Sequence, residues 1–153
     1  MSKIKKANIK DSVLIAKINH SSGDKIDKIL GITEKWVANL FNNLIKDKNY
    51  EIYLYENSGV VALKKEFNGF NNCEIYWLTV DKKDHRKGIG KELLQFVENR
   101  AKKLKFKGIY IYTHPIHKVA IRFYKKMNYK KINEFPNYYS NGDKSILFGK
   151  VLR

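Results

Sequence analysis

The 153-residue chain holds a single cysteine, Cys73, so no intramolecular disulfide can form. Nor does any apolar run approach the ~18 residues that a membrane-spanning helix needs. The opening residues, Met1-Ser2-Lys3-Ile4-Lys5-Lys6, have no apolar stretch behind their charges. No secretory signal and no membrane association are therefore expected, and the expected location is cytoplasmic. Acidic residues are scarce, 15 against 31 lysines and arginines, which gives a formal charge of +16. Such a field attracts anions, whether nucleic acid or polyphosphate cofactors. The lysines are spread along the chain, however, and no nucleic-acid recognition motif accompanies them. Linkers, repeats and low-complexity tracts are also missing, so one domain over residues 1–153 is expected.

What is present is 43% hydrophobic residues in short periodic segments, the composition of a folded domain. Residues 3–8 read as a strand. Asp11 or Ser12 then starts a helix carrying Leu14, Ile15 and Ile18. After an interruption at residues 21–24, a helix starting near Thr33 presents Trp36, Val37, Leu40, Phe41, Leu44 and Ile45 at helical spacing. Residues 50–56, 60–65 and 74–80 read as strands separated by Asn-rich and Gly-rich turns, with Tyr50, Ile52 and Leu54 sharing a face. A helix over residues 88–105 presents Ile89, Leu93, Leu94, Val97, Ala101 and Leu104. A strand follows at residues 109–113, then a helix after Pro115 presenting Ile116, Val119, Ala120, Phe123, Tyr124 and Met127. Asn128 suits its left-handed cap. Strands over 129–133 and 144–152 close the chain. The expected order is β-α-α-β-β-β-α-β-α-β-β, an α+β fold with a mixed central sheet and helices on both faces.

The junction Val80 to Lys91, VDKKDHRKGIGK, ends a strand, turns through basic residues and opens a helix on two glycines. A helix start exposes unpaired N–H groups with a partial positive charge. Glycine lets an anion approach the backbone, and Arg86, Lys87 and Lys91 add charge, so the segment suits a pyrophosphate. It is neither a dinucleotide fingerprint, lacking the third glycine, nor a Walker loop. By itself Gly-Ile-Gly reads better as a tight strand-to-helix turn. The whole segment Glu74 to Leu94, EIYWLTVDKKDHRKGIGKELL, resembles the central motif of the GNAT N-acetyltransferases: a strand, [Q/R]-x-x-G-x-[G/A], and an amphipathic helix. Residues 117–129, HKVAIRFYKKMNY, are similar to the family's N-x-x-A-x-x-F-Y-x-x-x-G-F segment. His85 stands in place of the usual Gln or Arg, His117 in place of Asn, and Asn128-Tyr129 in place of Gly-Phe.

The resemblance implies a GNAT fold, acetyl-CoA as cosubstrate, no metal, and direct acetyl transfer to an amine in a ternary complex. It implies that the loop residues His85, Arg86, Lys87, Gly88, Ile89, Gly90 and Lys91 hold the pyrophosphate. Amides near Leu78, Thr79 and Val80, on a splayed strand, would meet the pantetheine and the carbonyl, and His117 would supply a pantetheine-side hydrogen bond. Tyr124 corresponds to the family's general acid, which also lies against the cofactor. From periodicity alone it reads as a core residue. Glu74 corresponds to the base glutamate of the histone-type branch. It also reads as a strand-end carboxylate paired to a lysine. Tyr112 lies where the N-terminal acetyltransferase branch places its base, and His114 and His117 are further proton acceptors near neutral pH. His114 itself reads as an exposed loop residue, Cys73 as a structural thiol.

Two other readings use the same residues. Tyr53, Tyr138 and Tyr139 could stack on bases if the basic surface served RNA or the ribosome. The fold could also bind acyl-CoA without catalysis. The acceptor, a protein N-terminus, a lysine or a small amine, is not identified by any segment. A cationic acceptor would require local acidity, for which Glu34, Glu51 and Glu134 are candidates, although they read first as solvated surface carboxylates. Edge strands of this fold often pair, which leaves a homodimer open.

Overall fold

The computed structural model describes residues 2–153. Seven strands form one mixed sheet: β1 (Ile4–Lys6), β2 (Tyr50–Tyr55), β3 (Gly59–Phe67), β4 (Asn72–Val80), β5 (Gly108–Thr113), β6 (Lys130–Phe135) and β7 (Ser145–Val151). Their order across the sheet is β1-β2-β3-β4-β5-β7-β6. The helices are α1 (Ser12–Ser21), α2 (Lys25–Leu30), α3 (Glu34–Lys46), α4 (Ile89–Lys103) and α5 (Lys118–Lys126). The expected order therefore holds with one addition, α2. Asp24 caps that helix by accepting the Ile26 N–H, and Gly31 ends it in the left-handed region. With six residues and only Ile26 buried, α2 has too short an apolar face to show a period.

The sheet is covered on both faces, which produces two cores. On one face Leu93, Leu94, Val97 and Ala101 of α4 pack with Val61, Leu63, Ile75, Ile109 and Phe148. On the other, Ile15 and Ile18 of α1 and Val37, Phe41 and Leu44 of α3 pack on Ile52, Leu54, Val60 and Ala62. Strand β2 lies between them, so its alternate residues are buried too. Tyr53 is buried and donates to Glu51 at 2.6 Å, so it is not a surface ring for stacking on bases. The anticipated apolar face of α5 is only partly covered: Tyr124 is buried, whereas Val119 and, before the helix starts, Ile116 are exposed.

Glu51 is no source of surface acidity, being only 3% exposed. Arg100 of α4 holds it in a fork, Nε to Oε1 at 2.7 Å and Nη2 to Oε2 at 3.0 Å, with Lys65 at 3.3 Å. The Arg100 guanidinium outweighs burial and pulls the carboxyl down to about 2. A carboxyl lowered in the fold stabilises above its unfolded value near 4.5 and loses that contribution as pH falls through about 2. Arg100→Leu, which leaves that charge buried with fewer partners, is expected to destabilise by about 3 kcal/mol in urea unfolding at pH 7. An unchanged midpoint would show that Lys65 and Tyr53 alone satisfy Glu51.

The feature that positions the site is a fork in the sheet. Strands β4 and β5 run parallel and pair only through Asn72, Cys73 and Glu74. Immediately afterwards β4 carries an extra residue against β3: Ile75 faces Leu63 and Trp77 faces Ala62, which leaves Tyr76 as a bulge. A bulge bends its strand and increases the local twist. Residues 75–80 stay paired to β3 and part from β5.

Candidate active site

Glu74 is the last paired residue at the apex of the fork. Its strand neighbours are Lys64 on β3 and Tyr110 on β5. Its carboxylate accepts no hydrogen bond from any described residue, so the expected alternative of a lysine-paired strand end does not describe it. Burial raises the carboxyl to about 7, against a downward pull from Lys64. It lies in a cleft of about 930 Å³ whose walls include Phe67, Tyr76, Tyr112 and Tyr138. Tyr112 stacks on Tyr138 with ring centroids 4.8 Å apart, and Phe67 stacks on Tyr110 at 4.8 Å. Tyr110 lies flat because β7 has a glycine beneath it: a Cβ at Gly149 would come within 2.6 Å of the ring. Burial and the Glu74 charge both push the Tyr112 phenol up, so Tyr112 keeps its proton at neutral pH.

Beyond the apex, the parted arm of β4 has backbone groups free. Asp81 N–H donates to Ser58 O on the β3 side. Direction alternates along an extended strand, so Thr79 shares that side while Leu78 and Val80 turn toward the gap with β5. One of those groups is already taken: His85 Nε2 donates to Val80 O at 2.8 Å. That bond holds the basic turn against the strand end.

The turn itself carries two left-handed residues, Arg86 at φ 66° and Gly88 at φ 81°. For arginine this conformation is unfavourable by about 1–2 kcal/mol. Gly88 is the N-cap of α4 and no side chain caps the helix, so the amides of Ile89, Gly90 and Lys91 have no side-chain partner. A Cβ at Gly90 would meet Phe123 at 3.9 Å and Val80 at 4.0 Å, ordinary contact distances. Packing therefore does not demand a glycine there. Uncapped amides, an exposed arginine and lysines, and an open backbone fit an anionic phosphate group. Lys87 is partly engaged, donating to Asp84 at 2.8 Å.

Tyr124 of α5 is 5% exposed, packed between Tyr129 and Phe148 with centroids at 5.9 and 6.3 Å. Its hydroxyl has no hydrogen-bond partner. Among the described residues, Asp84 Oδ2 is the one sealed side-chain polar atom without a partner. The Tyr124 hydroxyl is therefore unpaired within the protein. Burial pushes its phenol well above the usual tyrosine range.

The histidines depart from expectation. His114 is buried, not an exposed loop residue. The Ile116 N–H donates to its Nδ1 at 3.0 Å, so the proton sits on Nε2, which donates to Asp143 at 2.8 Å. His117 bonds Asp24 Oδ1 through Nε2 at 2.7 Å, tying the start of α5 to the cap of α2. Burial pushes Asp24 up, but His117 and the Ile26 amide outweigh it and the net is downward. Of the other proposed acids, Glu34 lies 3.7 Å from His20, and Glu134 pairs with Lys131 and Lys144. Phe67, Tyr76 and Asp24 had no sequence motif to single them out. They are brought to the site by the hairpin, the bulge and the cap of α2.

An apex carboxylate, strand amides turned toward the gap and a basic helix start thus lie along one course from the fork to α4. Residues 26–129 match the family model described as Acetyltransferase (GNAT) family. The chain belongs to that family. A Xenopus tropicalis protein named "Probable N-acetyltransferase 14" is 38% identical over 72 residues, 47% of this chain and 34% of that protein. The chain thus spans about a third of the length of this relative. A GNAT-family structure from Desulfovibrio desulfuricans superposes with a TM-score of 0.83 at 15% identity, covering 98% of both chains. Arabidopsis thaliana NAA60 in complex with acetyl-CoA superposes with a TM-score of 0.78 at 19% identity, covering 97% of both. These structural likenesses establish the fold. No helix among the described residues is long and apolar enough to cross a membrane.

Proposed function

We propose that the protein transfers an acetyl group from acetyl-CoA to a primary amine, directly, in a ternary complex. The observation that carries this reading is the fork after Glu74, which joins an unpartnered carboxylate to a row of open amides leading to the phosphate loop. Bound acetyl-CoA supplies an activated acyl thioester. The amides of Ile89, Gly90 and Lys91, with Arg86, Lys87 and Gly88, hold its phosphates. His85 keeps the turn in place through Val80 O. The amides of Leu78 and Val80 face the gap and donate to the pantetheine and the carbonyl oxygen, while Thr79 keeps the arm paired to β3. His117, already bonded to Asp24, retains Nδ1 for a pantetheine contact.

An amine near pKa ~10.4 arrives protonated and must lose a proton before it can attack. Glu74 takes that proton, directly or through a water. It suits the role because burial sets its carboxyl near neutrality, at about 7. Tyr112 holds its proton too tightly, and both ring nitrogens of His114 are committed. As the N–C bond forms and the C–S bond breaks, Tyr124 gives its proton to the departing sulfur, and the second proton that the nitrogen loses on becoming an amide restores the phenol through solvent. Incubating the protein with acetyl-CoA and a panel of amines, and following thiol release with acetylated product, tests the reading. Amine-dependent thiol release supports it. Acetyl-CoA binding with no transfer to any amine would reduce the site to a binding module.

A further inference from the structure

Resting on that reading, we propose that the acceptor is a polypeptide whose reacting amine adjoins an apolar side chain and is followed by acidic residues. The first support is shape. The Glu74 cleft runs out along the β3–β4 hairpin to Phe70, which is fully exposed near its tip. Because β4 begins at Asn72, the cleft continues from Glu74 past the strand end into the turn that carries Phe70, an open-ended course that suits an extended chain. A small amine would fill only part of about 930 Å³.

The second support is the chemistry around the carboxylate. The cleft that holds Glu74 carries aromatic walls: Tyr76, the Tyr112–Tyr138 stack and Phe67. Ring faces attract an ammonium as it approaches and offer apolar contact to the side chain beside it. Glu74 has no partner in the protein, so the arriving amine does not have to displace one.

The third support is charge. Lys64, the cross-strand neighbour of Glu74, and Lys65 beside it also line the cleft. Lys65 is drawn to the buried Glu51, which Arg100 already neutralises, so that trio keeps one net positive charge. Lys64 is met only by Glu66 at 4.0 Å, a 62% exposed carboxylate that also lines the cleft and offsets part of its charge. A polyamine or a Lys-rich tail would place its second cation against these lysines, and the +16 chain adds to the repulsion. An acidic residue close behind the amine meets Lys64 favourably.

The test compares kcat/KM for four acceptors with the full chain and acetyl-CoA: a peptide beginning Met-Asp-Glu, one beginning Met-Lys-Lys, an N-terminally blocked Lys-rich peptide, and spermidine. The acidic peptide is expected to exceed the others at least tenfold. Lys64→Glu, with Lys64→Gln as a milder change, is expected to lower or invert the acidic-to-basic ratio. A ratio measured on one preparation is insensitive to the folded fraction and to any shift in Glu74. Preference for spermidine or a basic peptide, or equal use of acidic and basic peptides, would overturn this inference and leave acetyl transfer standing. Acetylation of no amine would overturn the transfer reading and this inference with it.

Discussion

Replacing Glu74 by Gln is expected to lower kcat/KM by about 10²–10⁴-fold, the usual contribution of a positioned general base. The wild-type rate should rise with pH through about 7, where burial has placed this carboxyl, and level off above it. That limb should vanish in Glu74→Gln. Stability should move the opposite way. A carboxyl raised in the fold stabilises below its unfolded value near 4.5, and the contribution is lost as pH rises through about 7. At pH 8 the ionised, half-buried carboxylate therefore opposes folding, and Glu74→Gln is expected to be more stable by on the order of 2 kcal/mol. At pH 4 the two proteins should be alike. The combination of lower activity and higher stability at pH 8 separates a base from a structural carboxylate. A variant with an unaltered pH profile and full turnover would remove Glu74 from the chemistry.

Tyr124→Phe is expected to lower kcat by about one or two orders of magnitude while the dissociation constant for acetyl-CoA stays within about twofold. The reasoning is geometric. Phenylalanine keeps the ring against Tyr129 and Phe148, so packing survives. The lost hydroxyl had no partner in the protein, so no buried group is orphaned. Because burial holds the phenol protonated, it can donate to a departing thiolate but cannot act as a base at neutral pH. Thermal unfolding should be nearly unchanged. Wild-type turnover in this variant would return Tyr124 to the core, the reading its place on the apolar face of α5 also allowed.

Where the chemistry is local, the sequence was readable. The basic turn that opens α4 depends on glycines, basic side chains and a helix start within one short segment, and all are visible between Val80 and Lys91. The long helices α3 and α4 were legible because their apolar faces repeat several times; Val37, Phe41 and Leu44 are buried, as are Leu93, Leu94 and Val97. Features built from distant partners were not. Glu51 looks like a surface acid until α4 brings Arg100, 49 residues away, onto it. His114 looks like a loop histidine until Asp143 and the Ile116 amide enclose it. The open arm of β4 depends on the bulge at Tyr76, whose register shift no alternation pattern announces. The aromatic cleft draws on β3, β4, β5 and the β6–β7 loop at once, so only the tertiary fold assembles it.

The account stands most directly on one titration: acetyl-CoA into the purified full chain by calorimetry, near physiological salt, with ATP as the polyanion control. Salt matters because a protein of charge +16 attracts any polyphosphate at low ionic strength. Saturable binding of acetyl-CoA with one site per chain, at least tenfold tighter than ATP, is the result the fork and loop predict. Equal affinities, falling together as salt rises, would mean that the open amides after Glu74 hold no pantetheine and would contradict the account.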